Sequence, residues 1–295
     1  MNLEHLTTET PNEKSKNLDK LSSLEFCVLM NALDQSVAAS VQKVLPQIAK
    51  AIDIIAERFK QGGRIVYIGA GTSGRLGLLD AVECVPTFGL KEGRVLGLIA
   101  GGQKAFIHAV EGAEDSPGLA AADLENIKLC DKDVLIGIAA SGRTPYVLGG
   151  LEYANSIDAY TISISCNLNA EISKLAKLSI EVDTGSEILT GSTRLKAGTA
   201  QKLILNMIST GVMTQVGKVY KNLMVDVLCT NLKLTGRAAR IVMLATGASL
   251  ERAKEALRAC ANNAKVAIVM ILNNVSAQQA KEILKKNEGF IESKK

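Results

Sequence analysis

The 295-residue chain has no tryptophan, two histidines and an aromatic content of only 3%. That scarcity excludes the stacking platforms of single-strand nucleic-acid binders and of modules that grip neutral sugar faces. His5 and His108 are too few for a histidine-rich metal site, so none is expected. The six cysteines (Cys27, Cys84, Cys130, Cys166, Cys229, Cys260) form no CxxC pair. They are expected to be buried thiols in a reducing compartment, with neither a zinc site nor a disulfide framework. Long apolar runs are also missing: Val266 to Leu272 is the longest, far below the roughly 20 residues of a membrane-spanning helix. The opening MNLEHLTTETPNEKSKN is polar rather than signal-like, so the expectation is a soluble, cytoplasmic protein with no membrane partner. The net charge is +4, and the basic excess lies after residue 248, where both signs intersperse (ERAKEALRA, AKEILKKNEGFIESKK). This predicts a solvated helix surface and no nucleic-acid partner.

What is abundant is hydrophobic residues, 47% of the chain, enough for a sizeable core. Residues 1 to 21 read as irregular, and Ser22 with Glu25 offers a capping box for a helix through about Val44. Pro46 then suits the first turn of the next helix. From Gly63 short apolar segments alternate with helical ones: RIVYIG, RVLGLIA, DVLIGIA, AYTISISC and LSIEVD. Strands of this length separated by helices predict an α/β fold with a five-stranded parallel sheet sandwiched by helices. A helical N-terminal arm precedes it, and a small all-helical C-terminal domain follows. The long helix TAQKLILNMISTGVMTQVG leaves the sheet, and everything later reads as helix. The expected division is an arm over 1–50, the α/β domain over 51–235 and a helical module over 236–295.

Three loops carry the candidate chemistry. The first strand runs into Gly69-Ala70-Gly71-Thr72-Ser73-Gly74-Arg75 and then a helix from about Ser73. A literal GxGxxG is present, but the next strand ends Leu98-Ile99-Ala100-Gly101-Gly102 without the acid that a dinucleotide ribose requires. Hydroxyls and free amides at a helix start suit a small phosphate monoester better, so the binding candidates here are Gly71, Thr72, Ser73 and Gly74. The third strand leads into a second such turn, with Ser141, Gly142, Arg143 and Thr144 before Pro145. Neighbouring parallel strands set both turns on the carboxyl edge of the sheet. A third cluster, Ser192, Thr193, Arg194 and Lys196, precedes the long helix, and its cations are candidates for neutralising phosphate or carboxylate. Together the three loops predict a sugar-phosphate ligand and no cofactor.

Two glutamates are the candidate acid and base. Glu83 follows the apolar LGLLDAVEC, whose environment is expected to raise its carboxyl pKa so that it donates a proton. Glu114 lies in Glu111-Gly112-Ala113-Glu114-Asp115, where Glu111 and Asp115 compete for the same role and the pattern alone does not choose. Asp80 reads as a cap or surface charge, and His108 as structural.

The motifs GAGTSGRLGLLDAVECVPTFG (69–89), IAGGQKAFIHAVEGAEDS (99–116), GIAASGRTPYV (137–147), ISCN (164–167) and GSEILTGSTRLKAGTAQK (185–202) resemble the SIS (sugar isomerase) domain. In detail they resemble the N-acetylmuramic acid 6-phosphate etherase family, and LTTETPN and SKNLD resemble its opening segment. The sequence departs from the family pattern at Val85, Leu195 and Leu168-Asn169, which leaves the carboxylates intact. The resemblance implies a lyase that removes D-lactate from N-acetylmuramic acid 6-phosphate, with Glu83 as proton donor and Glu114 as base. It also implies a homodimer. Glucokinase regulatory proteins share the GSEILTGSTRLKAG signature but carry two SIS domains, and a sugar-phosphate isomerase would use C2 proton removal without an acid at C3.

Overall fold

The computed structural model describes residues 6–108, 110–227 and 232–293. The chain divides into two compact units, Met1–Val82 with Val95–Ser209 and Glu83–Arg94 with Thr210–Lys295.

In the first unit, residues expected to be irregular form three 3-10 turns, Thr7–Glu9, Glu13–Ser15 and Leu18–Lys20. They are tied down by long-range polar contacts. The Thr8 amide donates to Asn167 Oδ1 at 3.3 Å, Asn167 Nδ2 donates to Thr8 Oγ1 at 3.0 Å, and Asn12 Nδ2 donates to the Ser186 carbonyl at 3.3 Å. Helix α1 (Ser23–Gln42) starts at the expected capping box, reciprocal between Ser22 and Glu25. It buries only Val37 and Val41, and Leu24 and Val28 are 75% and 62% exposed. Helix α2 (Leu45–Lys60) has Pro46 in its first turn and buries Ile48, Ala51, Ile55, Ala56 and Phe59 at helical spacing.

The sheet comprises β1 (Ile65–Gly69), β2 (Val95–Ile99), β3 (Val134–Ile138), β4 (Tyr160–Ser165) and β5 (Leu178–Glu181), all parallel in the order β2-β1-β3-β4-β5. These are the five expected strands. Every residue of β1 and β3 is buried, as a sheet covered on both faces requires. The connections are α3 (Gly71–Phe88), α4 (Lys104–Ile107), α5 (Pro117–Asn126), α6 (Pro145–Ser156), α7 (Glu171–Leu175) and α8 (Lys196–Gln215). At the amino edge of the sheet, Asp133 accepts from the Arg64 guanidinium at 2.6 Å and from the Arg64 and Cys130 amides at 2.8 and 3.0 Å. Burial raises the Asp133 carboxyl, but these donors together outweigh it and hold the group below the usual carboxylate range.

In the second unit the stretch just after the long helix, read as helical, forms a two-stranded antiparallel hairpin instead, β6 (Val219–Tyr220) and β7 (Leu223–Met224), ahead of the module expected over 236–295. Its turn holds Lys221 at φ 54°, a left-handed conformation that the Lys221-Asn222 pair does not advertise as Asn-Gly would. The helices α9 (Leu232–Thr246), α10 (Leu250–Ala259), α11 (Ala264–Asn273) and α12 (Ala277–Lys286) follow. Ser249, Asn263 and Ser276 cap the last three with side-chain oxygens, worth about 1 kcal/mol each. Their shared core includes Ala238, Val242, Leu257 and Ile268. Among the described residues no helix is long and apolar enough to cross a membrane.

The thiol expectation needs correction. Cys84, Cys166 and Cys260 are buried, but Cys27 and Cys130 are exposed, and Cys229 lies outside the described residues, as does His5. Cys27 sits in the first turns of α1, where residues 23–28 are all exposed, well before the covered Val37 and Val41, and Cys130 sits in the turn before β3.

Candidate active site

Chain order reverses between β1 and β3, which pair directly, Gly69 opposite Ile138. In parallel α/β sheets ligands bind outside the carboxyl ends of the strands at such a switch point. The first two hydroxyl-bearing turns leave those two strand ends.

The first turn is tight. Helix α3 begins at Gly71, two residues earlier than expected, and the Gly74 amide donates to the Ala70 carbonyl at 3.1 Å. The first amides of the helix have no earlier carbonyl within it. A Cβ on Gly74 would lie 2.6 Å from the Gly69 carbonyl oxygen, so the return from strand to helix demands glycine there. Thr72 is half-buried and Ser73 is buried, its hydroxyl donating to Gln201 Oε1 at 3.0 Å. In the second turn the Arg143 amide donates to Ser141 Oγ at 3.3 Å, and Gly142 holds φ 71° where a Cβ would meet Ala170 Cβ at 2.3 Å. Ser141, Arg143 and Thr144 are half-buried.

The third loop is built around a residue that the sequence reading passed over. Glu187 is fully buried, and its carboxylate accepts from the Lys196 and Ala197 amides at 2.9 and 3.0 Å. Helix α8 therefore starts at Lys196, three residues before the expected Thr199. The Lys196 ammonium is also buried and donates to the Thr184 carbonyl at 2.6 Å. Burial pulls its pKa down, and the charges of Glu187 and Asp183 oppose that. Its charge thus serves the loop itself. Ser192 and Thr193 are half-buried and Arg194 is exposed. The start of α8 lies against the first turn, because a Cβ on Gly198 would be 3.4 Å from Thr72 Cγ2.

One pocket of about 200 Å3 opens beside the first turn, lined by Ala70, Gly71, Arg75, Ala100, Ala105, Val110, Glu111 and Glu114. Of the three acids that competed in sequence, Glu111 and Glu114 reach it and Asp115 does not. Glu114 is exposed and sits in the 3-10 turn Ala113–Asp115. The Arg75 guanidinium donates to the Phe106 and Ala105 carbonyls at 3.0 and 2.7 Å, holding α4 beside the pocket.

Three expectations fail locally. Glu83 is exposed, with its neighbours Ala81 and Cys84 buried and Val82 exposed, so α3 does not enclose it in an apolar setting. Asp80 is neither cap nor surface charge. It is 4% exposed and accepts from Tyr67 Oη at 3.0 Å and Ser209 Oγ at 3.1 Å, and its pKa is raised by burial in spite of these donors and Lys202. His108 is exposed at the end of α4 rather than packed as a structural residue. Among the described residues no three His, Cys, Asp or Glu side chains converge as a metal cluster would.

The family model of the glucokinase regulatory protein N-terminal SIS domain matches residues 47–155. Relatives named N-acetylmuramic acid 6-phosphate etherase from Bacillus cereus (strain 03BB102) and Bacillus mycoides (strain KBAB4) are each 60% identical over 289 residues, covering 98% of this chain and 98% of theirs. The chain belongs to the N-acetylmuramic acid 6-phosphate etherase family. Membership covers the SIS sheet together with its helical N- and C-terminal regions. The etherase family's fold is shared more widely: a phosphoheptose isomerase from Francisella tularensis has TM-score 0.51 at 18% identity, covering 66% of this chain and all of that one.

Proposed function

We propose that this chain is a carbon-oxygen lyase that cleaves the D-lactyl ether of N-acetylmuramic acid 6-phosphate, giving N-acetylglucosamine 6-phosphate and D-lactate in cytoplasmic amino sugar catabolism. The observation that carries the reading is the pocket in which the helix-start turn at Gly71 and the carboxylate of Glu114 face one space. An anion site and a base are what the chemistry requires side by side.

Direct displacement at the ether is unfavourable because an alkoxide leaves poorly. In the ring-opened sugar the C2 proton lies next to the aldehyde carbonyl and is acidic. Glu114 removes it, and the electrons shift to expel the C3 oxygen as Glu83 protonates it, releasing lactate. Water then adds to the unsaturated aldehyde at C3 and restores the sugar. The phosphate is held by the amides of Gly71 to Ser73, in the turn that Gly74 closes, by the hydroxyls of Thr72, Ser73, Ser141, Thr144, Ser192 and Thr193, and by Arg143 and Arg194. Gly142 shapes the second turn, and Lys196 keeps the third loop folded. The elimination moves two protons between carboxyls and substrate, and the water addition runs the same transfers in reverse, returning a proton to C2 and taking one from water.

A homodimer completes the site in this reading. The pocket's 200 Å3 falls below the roughly 300–1,000 Å3 of sites that enclose a ligand. Leu79 and Val82 on α3 and Leu24 and Val28 on α1 are exposed apolar residues that a second copy would cover. Covering the α3 face would also desolvate Glu83, as a proton donor needs. Release of D-lactate from N-acetylmuramic acid 6-phosphate, persisting in EDTA and much weaker with the unphosphorylated sugar, is the test. No lactate, or equal rates on both sugars, contradicts the proposal.

A further inference from the structure

Two side-chain polar atoms beside the third loop are buried without a hydrogen-bond partner, Thr184 Oγ1 and Gln201 Nε2. The second sits at the first turn. Gln201 is 1% exposed on α8, and its Oε1 takes the single hydroxyl proton of Ser73. A buried amide N–H left unpaired costs about 1–3 kcal/mol. A serine whose proton points at Gln201 also has none to give an anion. Turning the amide over removes both difficulties. Nε2 then donates to Ser73 Oγ, the serine proton is free for a phosphate oxygen bound at the helix-start amides, and the unpaired group becomes a carbonyl, the cheaper of the two to leave bare.

We propose that Gln201 is a positioning residue that switches Ser73 between a closed arrangement, with its proton given to Gln201, and a donor arrangement aimed at a phosphate oxygen. The proposal rests on the reading of the Gly71 to Gly74 turn as the phosphate anchor. In it, phosphate binding and the amide turn are one event, because the anion takes the proton that Gln201 relinquishes.

The test uses inorganic phosphate as competitive inhibitor, together with KM and kcat for N-acetylmuramic acid 6-phosphate, in Gln201→Glu, Gln201→Met, Ser73→Ala and Ser73→Ala combined with Gln201→Met. A glutamate accepts from Ser73 and donates nothing, so it locks the closed arrangement. A methionine frees the serine proton. Gln201→Glu is therefore expected to raise KM and the phosphate inhibition constant together by about tenfold or more, with kcat nearly unchanged and Gln201→Met affected less. If Gln201 served only to accept the Ser73 proton as a structural tie, glutamate would preserve the tie and methionine break it, and the order would reverse. That order overturns the proposal. Adding Gln201→Met to Ser73→Ala is expected to change phosphate binding no further. Ser73→Ala that leaves phosphate inhibition untouched removes the anchor reading itself, whereas a weakened Ser73→Ala beside unaffected Gln201 variants removes only the switch. Should the variants fold poorly, the side-chain amide signals of Gln201 in the unaltered protein, followed by 15N NMR, are expected to move on phosphate titration. Unmoved signals contradict the switch.

Discussion

The loop before α8 and the crossover after β2 each bring an acid to the carboxyl side of the same sheet, and they are built in opposite ways. Glu187 is fully buried and both its oxygens are engaged by the first amides of α8. Glu114 is exposed on a three-residue 3-10 turn and lines a pocket. Two carboxylates in one unit thus differ in setting, one holding backbone in place and the other exposed at a pocket, where the proposed mechanism uses it as the base. Burial and partners, not residue type, distinguish an architectural acid from a chemical one.

Substitutions sharpen the contrast. Glu114→Gln is expected to lower turnover by about 10²- to 10⁴-fold, the usual contribution of a general base, with an unchanged denaturant midpoint. A loss of both would place Glu114 among the architectural acids. Glu187→Ala is expected to destabilise the protein by about 2–4 kcal/mol, because it leaves two helix-start amides unpaired and removes a negative charge near the buried Lys196 ammonium. Urea unfolding reads this directly, and a variant as stable as the parent would break the comparison.

Asp80 gives the smallest and most diagnostic effect. Its folded pKa lies above the ordinary carboxylate value because burial disfavours the charge, so the folded state binds the proton more tightly than the unfolded chain. The stability this contributes is present below the unfolded value of about 4 and is lost as pH rises through the folded value. Asp80→Asn, neutral at every pH, is expected to gain relative stability as pH rises from about 4 toward neutrality. Parallel pH profiles for the two proteins would contradict it.

These assignments also show where the sequence is legible. Apolar runs such as Ile65–Gly69 and Val134–Ile138 announce buried parallel strands, and Ser22 with Glu25 announces its helix, because each signal is local. Glycine and hydroxyl residues mark the turns after β1 and β3 for the same reason. Partners distant in sequence leave no such mark. Asp80 meets Ser209 across 129 positions and Asn12 meets Ser186 across 174, so neither the buried network nor the ordered N-terminal turns appear in any window. Lys196 and Glu187 misled differently. A cation next to hydroxyls invites an anion, and only the folded loop reveals that the Thr184 carbonyl occupies the ammonium.

The proposed elimination turns on removal of the C2 proton by the exposed carboxylate of Glu114. The direct measurement is the isotopic content of N-acetylglucosamine 6-phosphate formed from N-acetylmuramic acid 6-phosphate in D2O. Deuterium at C2 of product made by the parent protein, with product formation and C2 exchange falling together by about 10²- to 10⁴-fold in Glu114→Gln, is the predicted result. Lactate release with C2 carrying only its original hydrogen, or C2 exchange undiminished in Glu114→Gln, would contradict it.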